Sequence, residues 1–247
     1  GGPYFPPAPR HGLPGFPALL DSLARAWKEQ PAEVETQAQA FRDGLAEYTA
    51  LGLDAAPATF TGAEVVAAAK GMGQRLDPLH GGFGNTGPKF PNPMNLAAML
   101  RGYRRGGEGA LKDGVLFTLE KMARGGLQDQ LGGGFHRYSV DERWLTPHFE
   151  KMLYDNGQLL HLYAEAWQLE ARPLFLEVAE ALVGWLLREM TSPEGAFHAA
   201  QDADSEGEEG KFFVWRPREV RAALPDPVDA ELALARWGIT EDGSFEH

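Results

Sequence analysis

Apolar positions recur at helical spacing along most of the chain. Phe16, Leu19, Leu20, Leu23, Ala24 and Trp27 predict an amphipathic helix from about Pro14 to Glu29. A helix over 32–51 is weaker in apolar content and rich in Gln, Glu and Ala, which suits a connector; residues 54–60 read as a loop. Thr61-Gly-Ala-Glu64 is a capping box, in which side chain and backbone satisfy each other's donors, and it opens a helix to about Arg75. Leu96, Met99, Leu100 and Tyr103 share one face of a helix over 94–105, with Asn92 as cap and Pro93 in the first turn. Leu111, Val115, Leu119 and Met122 define the next helix, to Arg124. A further pair, Pro147 to Leu169 and Pro173 to Met190, opens at proline, and short helices follow near Arg218 and Ala230. Only Tyr4-Phe5, ahead of Pro6, and Lys211 to Trp215 read as strands.

Glycine-rich loops separate these helices and repeat. Asp77-Pro-Leu-His-Gly-Gly-Phe83 matches Asp129-Gln-Leu-Gly-Gly-Gly-Phe135, with weaker copies at Ser192-Pro-Glu-Gly-Ala-Phe197 and Glu241-Asp-Gly-Ser-Phe245. Helical hairpins joined by such loops at a period near 50 are the signature of stacked helical repeats. The expected fold is all-α: about half of an (α/α)₆ toroid, with the loops at one end and Phe83, Phe135, Phe197 and Phe245 wedged between hairpins.

Composition narrows the class. The 247 residues carry a net charge of −12, which argues against a nucleic-acid surface. There is no cysteine, so disulfides, thiolate metal sites and thiol catalysis are excluded within this sequence. No apolar run reaches the length of a membrane span and no signal peptide is visible, so no membrane partner and a cytoplasmic location are expected.

Four segments carry a family resemblance: Gly81-Gly-Phe-Gly-Asn-Thr-Gly-Pro-Lys-Phe-Pro91, Asp129 to Asp141, Trp144 with Pro147 to Asp155, and Asp202 to Gly210 leading into Phe213-Val-Trp215. The chain resembles the thioredoxin-domain proteins related to spermatogenesis-associated protein 20. The resemblance implies a thioredoxin-like domain followed by a six-hairpin toroid similar to those of N-acylglucosamine 2-epimerase and several glycoside hydrolases. It implies that residues 1–30 end the thioredoxin-like domain, that 31–60 connect, and that 61–247 begin the toroid. An upstream thioredoxin-like part would be the partner within the same polypeptide.

The candidate chemistry clusters after the second loop. His148, Met152 and Asp155 stand at i, i+4 and i+7 on the helix that Pro147 is expected to open, with Glu150 and Lys151 in its first turn. The positive end of that helix would favour a neutral imidazole at His148. His136 and His148 would exchange a proton at a sugar carbon, as an epimerase or isomerase requires. The alternative reading is that these residues cap the helix. Arg137, Tyr138, Asp141, Trp144, Lys151 and Tyr154 are candidate sugar contacts, the aromatic rings stacking on the sugar and the charged groups forking onto hydroxyls; Arg137 and Asp141 could instead brace the loop. Asp77 and Lys89 of the first loop are weaker candidates. A glycoside hydrolase would place Asp202 or Asp204 opposite Glu150. Asp202, Asp204 and Glu206 imitate a calcium loop, but its twelfth place is Phe213, so no metal and no cofactor are expected. A small-molecule substrate, a sugar, is the expected partner; the competing class is a non-enzymatic toroid that binds a glycan or a protein.

Overall fold

The computed structural model describes residues 5–10, 12–50 and 61–243, and the helices the periodicity predicts are present in it. The chain divides into two units, 1–59 and 60–247. In the first, Phe5 is not in a strand, and Tyr4 and the 54–60 loop lie outside the described residues. Its helices are α1 (Phe16–Glu29) and α2 (Pro31–Ala50), which pack together. Phe16, Leu20, Leu23 and Trp27 of α1 stay exposed.

The second unit begins with α3 (Gly62–Gly73), capped as predicted by the reciprocal Thr61–Glu64 box. It continues with α4 (Pro93–Gly106) and α5 (Gly109–Arg124). Asn92 precedes α4 in a left-handed conformation (φ 47°), and its side chain caps nothing; its amide donates to Phe90 O. Then come the two-residue strands β1 (Tyr138–Ser139), β2 (Pro147–His148) and β3 (Lys151–Met152), and the helices α6 (Leu153–Leu169) and α7 (Pro173–Glu189). The remainder is β4 (Ala200–Gln201), β5 (Asp204–Ser205), β6 (Glu208–Glu209), α8 (Pro217–Ala223) and α9 (Pro227–Trp237).

The apolar stripes meet in one core. Leu96, Met99 and Leu100 of α4 join Val115, Leu119 and Met122 of α5, Leu159, Leu162 and Tyr163 of α6, and Phe175, Val178 and Leu182 of α7. Three-residue-or-shorter links at 107–108 and 170–172 make α4–α5 and α6–α7 antiparallel hairpins. The long loops 74–92, 125–152 and 190–216 therefore lie at one end of the helices. Backbone pairing joins them: Lys89 bridges to Ser139, and Lys151 pairs with Gln201.

Three further expectations fail here. The helix expected from Pro147 starts at Leu153, because 147–152 is extended and pairs first with β1 and then with β4. Lys211 to Trp215 is turn and irregular chain, folded back by Gly210 (φ 74°). Phe135 is fully buried and Phe83 partly, but Phe197 is 56% exposed and wedges nothing; Phe245 is outside the described residues.

Candidate active site

The repeated loop motif is one structural lock used twice. After α3, Asp77 Oδ1 accepts the backbone N–H groups of Leu79 and His80, and its Oδ2 accepts from the Lys89 ammonium at 2.7 Å. Lys89 also donates to Gly81 O at 2.9 Å and lies 5.4 Å from the centre of the Trp144 ring. After α5, Asp129 Oδ1 accepts from Leu131 and Gly132, and Lys151 donates to Asp129 Oδ2 and to Gly133 O, both at 2.8 Å. Lys151 lies 5.4 Å from the Trp185 ring. The glycines let the tryptophans in. A Cβ at Gly82 (φ 73°) would stand 2.4 Å from Trp144, and one at Gly134 (φ 78°) 2.7 Å from Trp185. Burial pushes the Asp77 and Asp129 carboxyls up, but the lysines and the backbone N–H groups outweigh it and hold both below the ordinary carboxylate range.

The second lock ends where β3 begins, and the chain between Phe135 and Asp155 folds back on itself. Pairing of β1 with β2 stacks the Tyr138 ring on the His148 imidazole, centroids 4.9 Å apart and planes 16° apart, and the exposed Phe90 lies 4.8 Å from Tyr138. His148 Nδ1 is 2.6 Å from Glu209 Oε1, and its Nε2 is 3.9 Å from Glu150 Oε2. Arg137 donates to that same Glu150 oxygen at 2.7 Å.

His136 Nδ1 stands 2.9 Å from Phe149 O. A carbonyl only accepts, so Nδ1 carries the proton and Nε2 is the basic nitrogen. Burial, reinforced by the charge of Lys151, lowers the imidazole from 6.5 to about 4, so it is neutral at neutral pH. Its ring meets Phe149 and Phe213 edge-on at 5.3 and 4.9 Å. Asp155, in the first turn of α6, is raised from 3.8 to about 6: burial is the main cause, Arg137 opposes it and Glu150 adds to it.

His136, Arg137, Tyr138, His148, Glu150 and Asp155 thus gather in one region, with Tyr154 exposed beside Arg137. Other candidates stand elsewhere. Trp144 is fully buried with its indole N–H on His80 O, so it cannot stack on a sugar. Asp77, Lys89 and Lys151 are buried with their charged groups saturated by the locks, which removes them as substrate contacts. Asp141 accepts from the backbone of Arg143, Leu145 and Thr146 and from Ser139 Oγ; it braces its turn, though not through Arg137. His148 is in a strand, so it shares no helix face with Asp155 and meets no helix end. Asp202 and Asp204 are exposed, the first holding the N–H of the second. Among the described residues no group of three or more His, Asp or Glu could hold a metal. Glu209, Phe149, Phe213 and Phe90 join the site without having been marked as candidates by the sequence. Glu209 lies 61 residues from His148, beyond any local pattern. The Glu206-Gly207 turn was the one local sign of a hairpin.

The mostly helical chain has a counterpart among solved structures. The chain is similar to a sugar epimerase from a ruminal bacterium, with a TM-score of 0.51 and 13% identity over 72% of this chain and 54% of that one, a likeness of fold alone. Its sequence is similar to spermatogenesis-associated protein 20 of Homo sapiens, 32% identical over 99% of this chain, and to the Mus musculus protein at the same identity. An uncharacterised Caenorhabditis elegans protein is 34% identical over 92% of the chain. The chain spans about a third of the length of these relatives. No family model matches it. No helix among the described residues is long and apolar enough to cross a membrane.

Proposed function

We propose that residues 61–247 are the first part of an (α/α)₆ toroid whose looped end is a sugar epimerase or isomerase site, with His136 and His148 as its proton-transfer pair. Residues 1–30 would be the end of a thioredoxin-like domain. One observation carries the reading: both imidazoles have Nδ1 engaged, one by the Phe149 carbonyl and one by the Glu209 carboxylate, and each is left with Nε2 to act. One Nε2 removes the proton from the carbon beside the sugar carbonyl, giving an enediolate. The other, protonated, returns a proton to the opposite face, and the net change is inversion at that carbon. Asp155, raised to about 6, is suited to protonate the developing enediolate oxygen. Tyr138 and Phe90 offer an apolar ring surface for the sugar.

The hydrolase alternative is less well supported. Asp202 and Asp204 are exposed, and among the described residues neither pairs with Glu150, which is held by Arg137. The proton-transfer reading predicts deuterium uptake at C2 when the protein is incubated with a panel of neutral aldoses and N-acetylated amino sugars in deuterium oxide. His136→Ala and His148→Ala should each lower that exchange at least about 100-fold. A folded protein that exchanges no sugar would exclude the reading and leave a binding toroid as the better account.

A further inference from the structure

His136 is 2% exposed, so in the described conformation no sugar reaches its Nε2. What covers it is Phe149 and, across the ring, Phe213, which stacks on Phe149 at 5.3 Å and lies 5.0 Å from the Lys151 ammonium. Phe213 belongs to the segment 202–215. Within it β5 and β6 form a tight hairpin through Glu206 (φ 54°) and Gly207 (φ 81°), the left-handed pair that a two-residue turn requires. Gly210 folds the end of the hairpin onto Phe149, where a Cβ would come 2.5 Å from the ring. Internal ion pairs from Lys211 to Glu206 and Glu208 hold the segment together.

Its hydrogen bonding to the remaining unit is sparse. Among the described residues one hydrogen bond joins 202–215 to the rest, donated by His148 Nδ1 to Glu209, beside the ring packing of Phe213. The Ser205 hydroxyl in the hairpin is buried with no hydrogen-bond partner among the described residues. We infer that the hairpin β5–β6 and the turn after it are a lid over His136, and that Glu209 is a positioning residue which lid closure delivers to His148. The inference rests on the proton-transfer reading of the two histidines. Opening admits substrate to His136; closing places the carboxylate on His148 Nδ1, fixes the tautomer that exposes Nε2, and excludes water. Assembly of the site is thus coupled to closure.

The test uses the full chain and needs no substrate. Carbethoxylation by diethyl pyrocarbonate, followed residue by residue, should proceed about tenfold faster at His136 in Glu209→Gln and in Phe213→Ala, while the exposed His161 and His198 react at unchanged rates. In nitrogen-15 spectra His148 should hold its proton on Nδ1 in the parent and lose that preference in Glu209→Ala, with Glu209→Asp keeping it. The other charged or titratable groups around His148 are Glu150, Tyr138, His136 and, through Glu150, Arg137. Equal labelling of His136 in parent and variants, or a rise accompanied by faster amide exchange throughout α4–α7, would overturn the lid. An unchanged His148 tautomer in Glu209→Ala would overturn the role of Glu209. Neither result bears on deuterium exchange into sugars, so the lid and the proton-transfer reading fail separately.

Discussion

Two side chains of the same site, His136 and Asp155, pull the pH dependence of stability in opposite directions. His136 falls to about 4 in the folded protein, so between roughly pH 4 and the ordinary histidine value of 6.5 the unfolded chain binds more protons, and stability rises with pH. Asp155 is raised from 3.8 to about 6, so across that window the folded chain binds more protons, and stability falls with pH. For the buried His136 the full effect across the window is about 3 kcal/mol, because each tenfold change in proton affinity is worth about 1.4 kcal/mol. The half-exposed Asp155 contributes less, because solvent screens it. The parent should therefore show a shallow gain in urea midpoint from pH 4 to 6.5. His136→Gln should reverse that slope and Asp155→Asn should steepen it. A slope that neither substitution changes would place the titration elsewhere.

At the scale of elements, the first two loops each depend on a lysine buried against its aspartate. Lys89→Met leaves Asp77 charged, buried and unpaired, and urea titration should register a loss of about 3 kcal/mol; adding Asp77→Asn should recover part of it. Gly134→Ala should cost about 2 kcal/mol or more, because it puts a methyl into Trp185 and strains a positive φ. The helices were legible in the sequence because a stripe at 3.6-residue spacing has one simple way to bury itself, and the Asp77 and Asp129 motifs were legible as a repeat. Their role was not. Asp, Lys and Trp beside glycine read equally well as ligand contacts, and only burial separates the two uses. The start of α6 was misread for a related reason: Pro147 is a favourable first helical residue, yet Lys151 must reach back to Asp129, which holds the chain extended to Met152. His136 and His148 were chosen by composition of the segment; their surroundings, Phe213 and Glu209 above all, come from over sixty residues later.

At the scale of the molecule, the main core draws every buried member from between Ala69 and Met190. Deleting 1–59 should accordingly leave the cooperative unfolding of the helical unit within about 1 kcal/mol of the parent in urea. A loss of several kcal/mol would mean that the first unit completes the core. The order of the locks carries one more implication. Lys89 closes the first loop while its own backbone pairs with Ser139 of the second, and Lys151 closes the second while its strand pairs with Gln201 of the third. In the third loop Ser192 stands where the others have Asp, and among the described residues its hydroxyl accepts from Ala196 N–H with no lysine paired to it. The loops are laid like courses of brick, each aligned on the one before and the last left unmortared. An insertion in the first loop would misalign everything above it, whereas the third rests on its predecessor through the short β3–β4 pairing and has nothing laid on top of it.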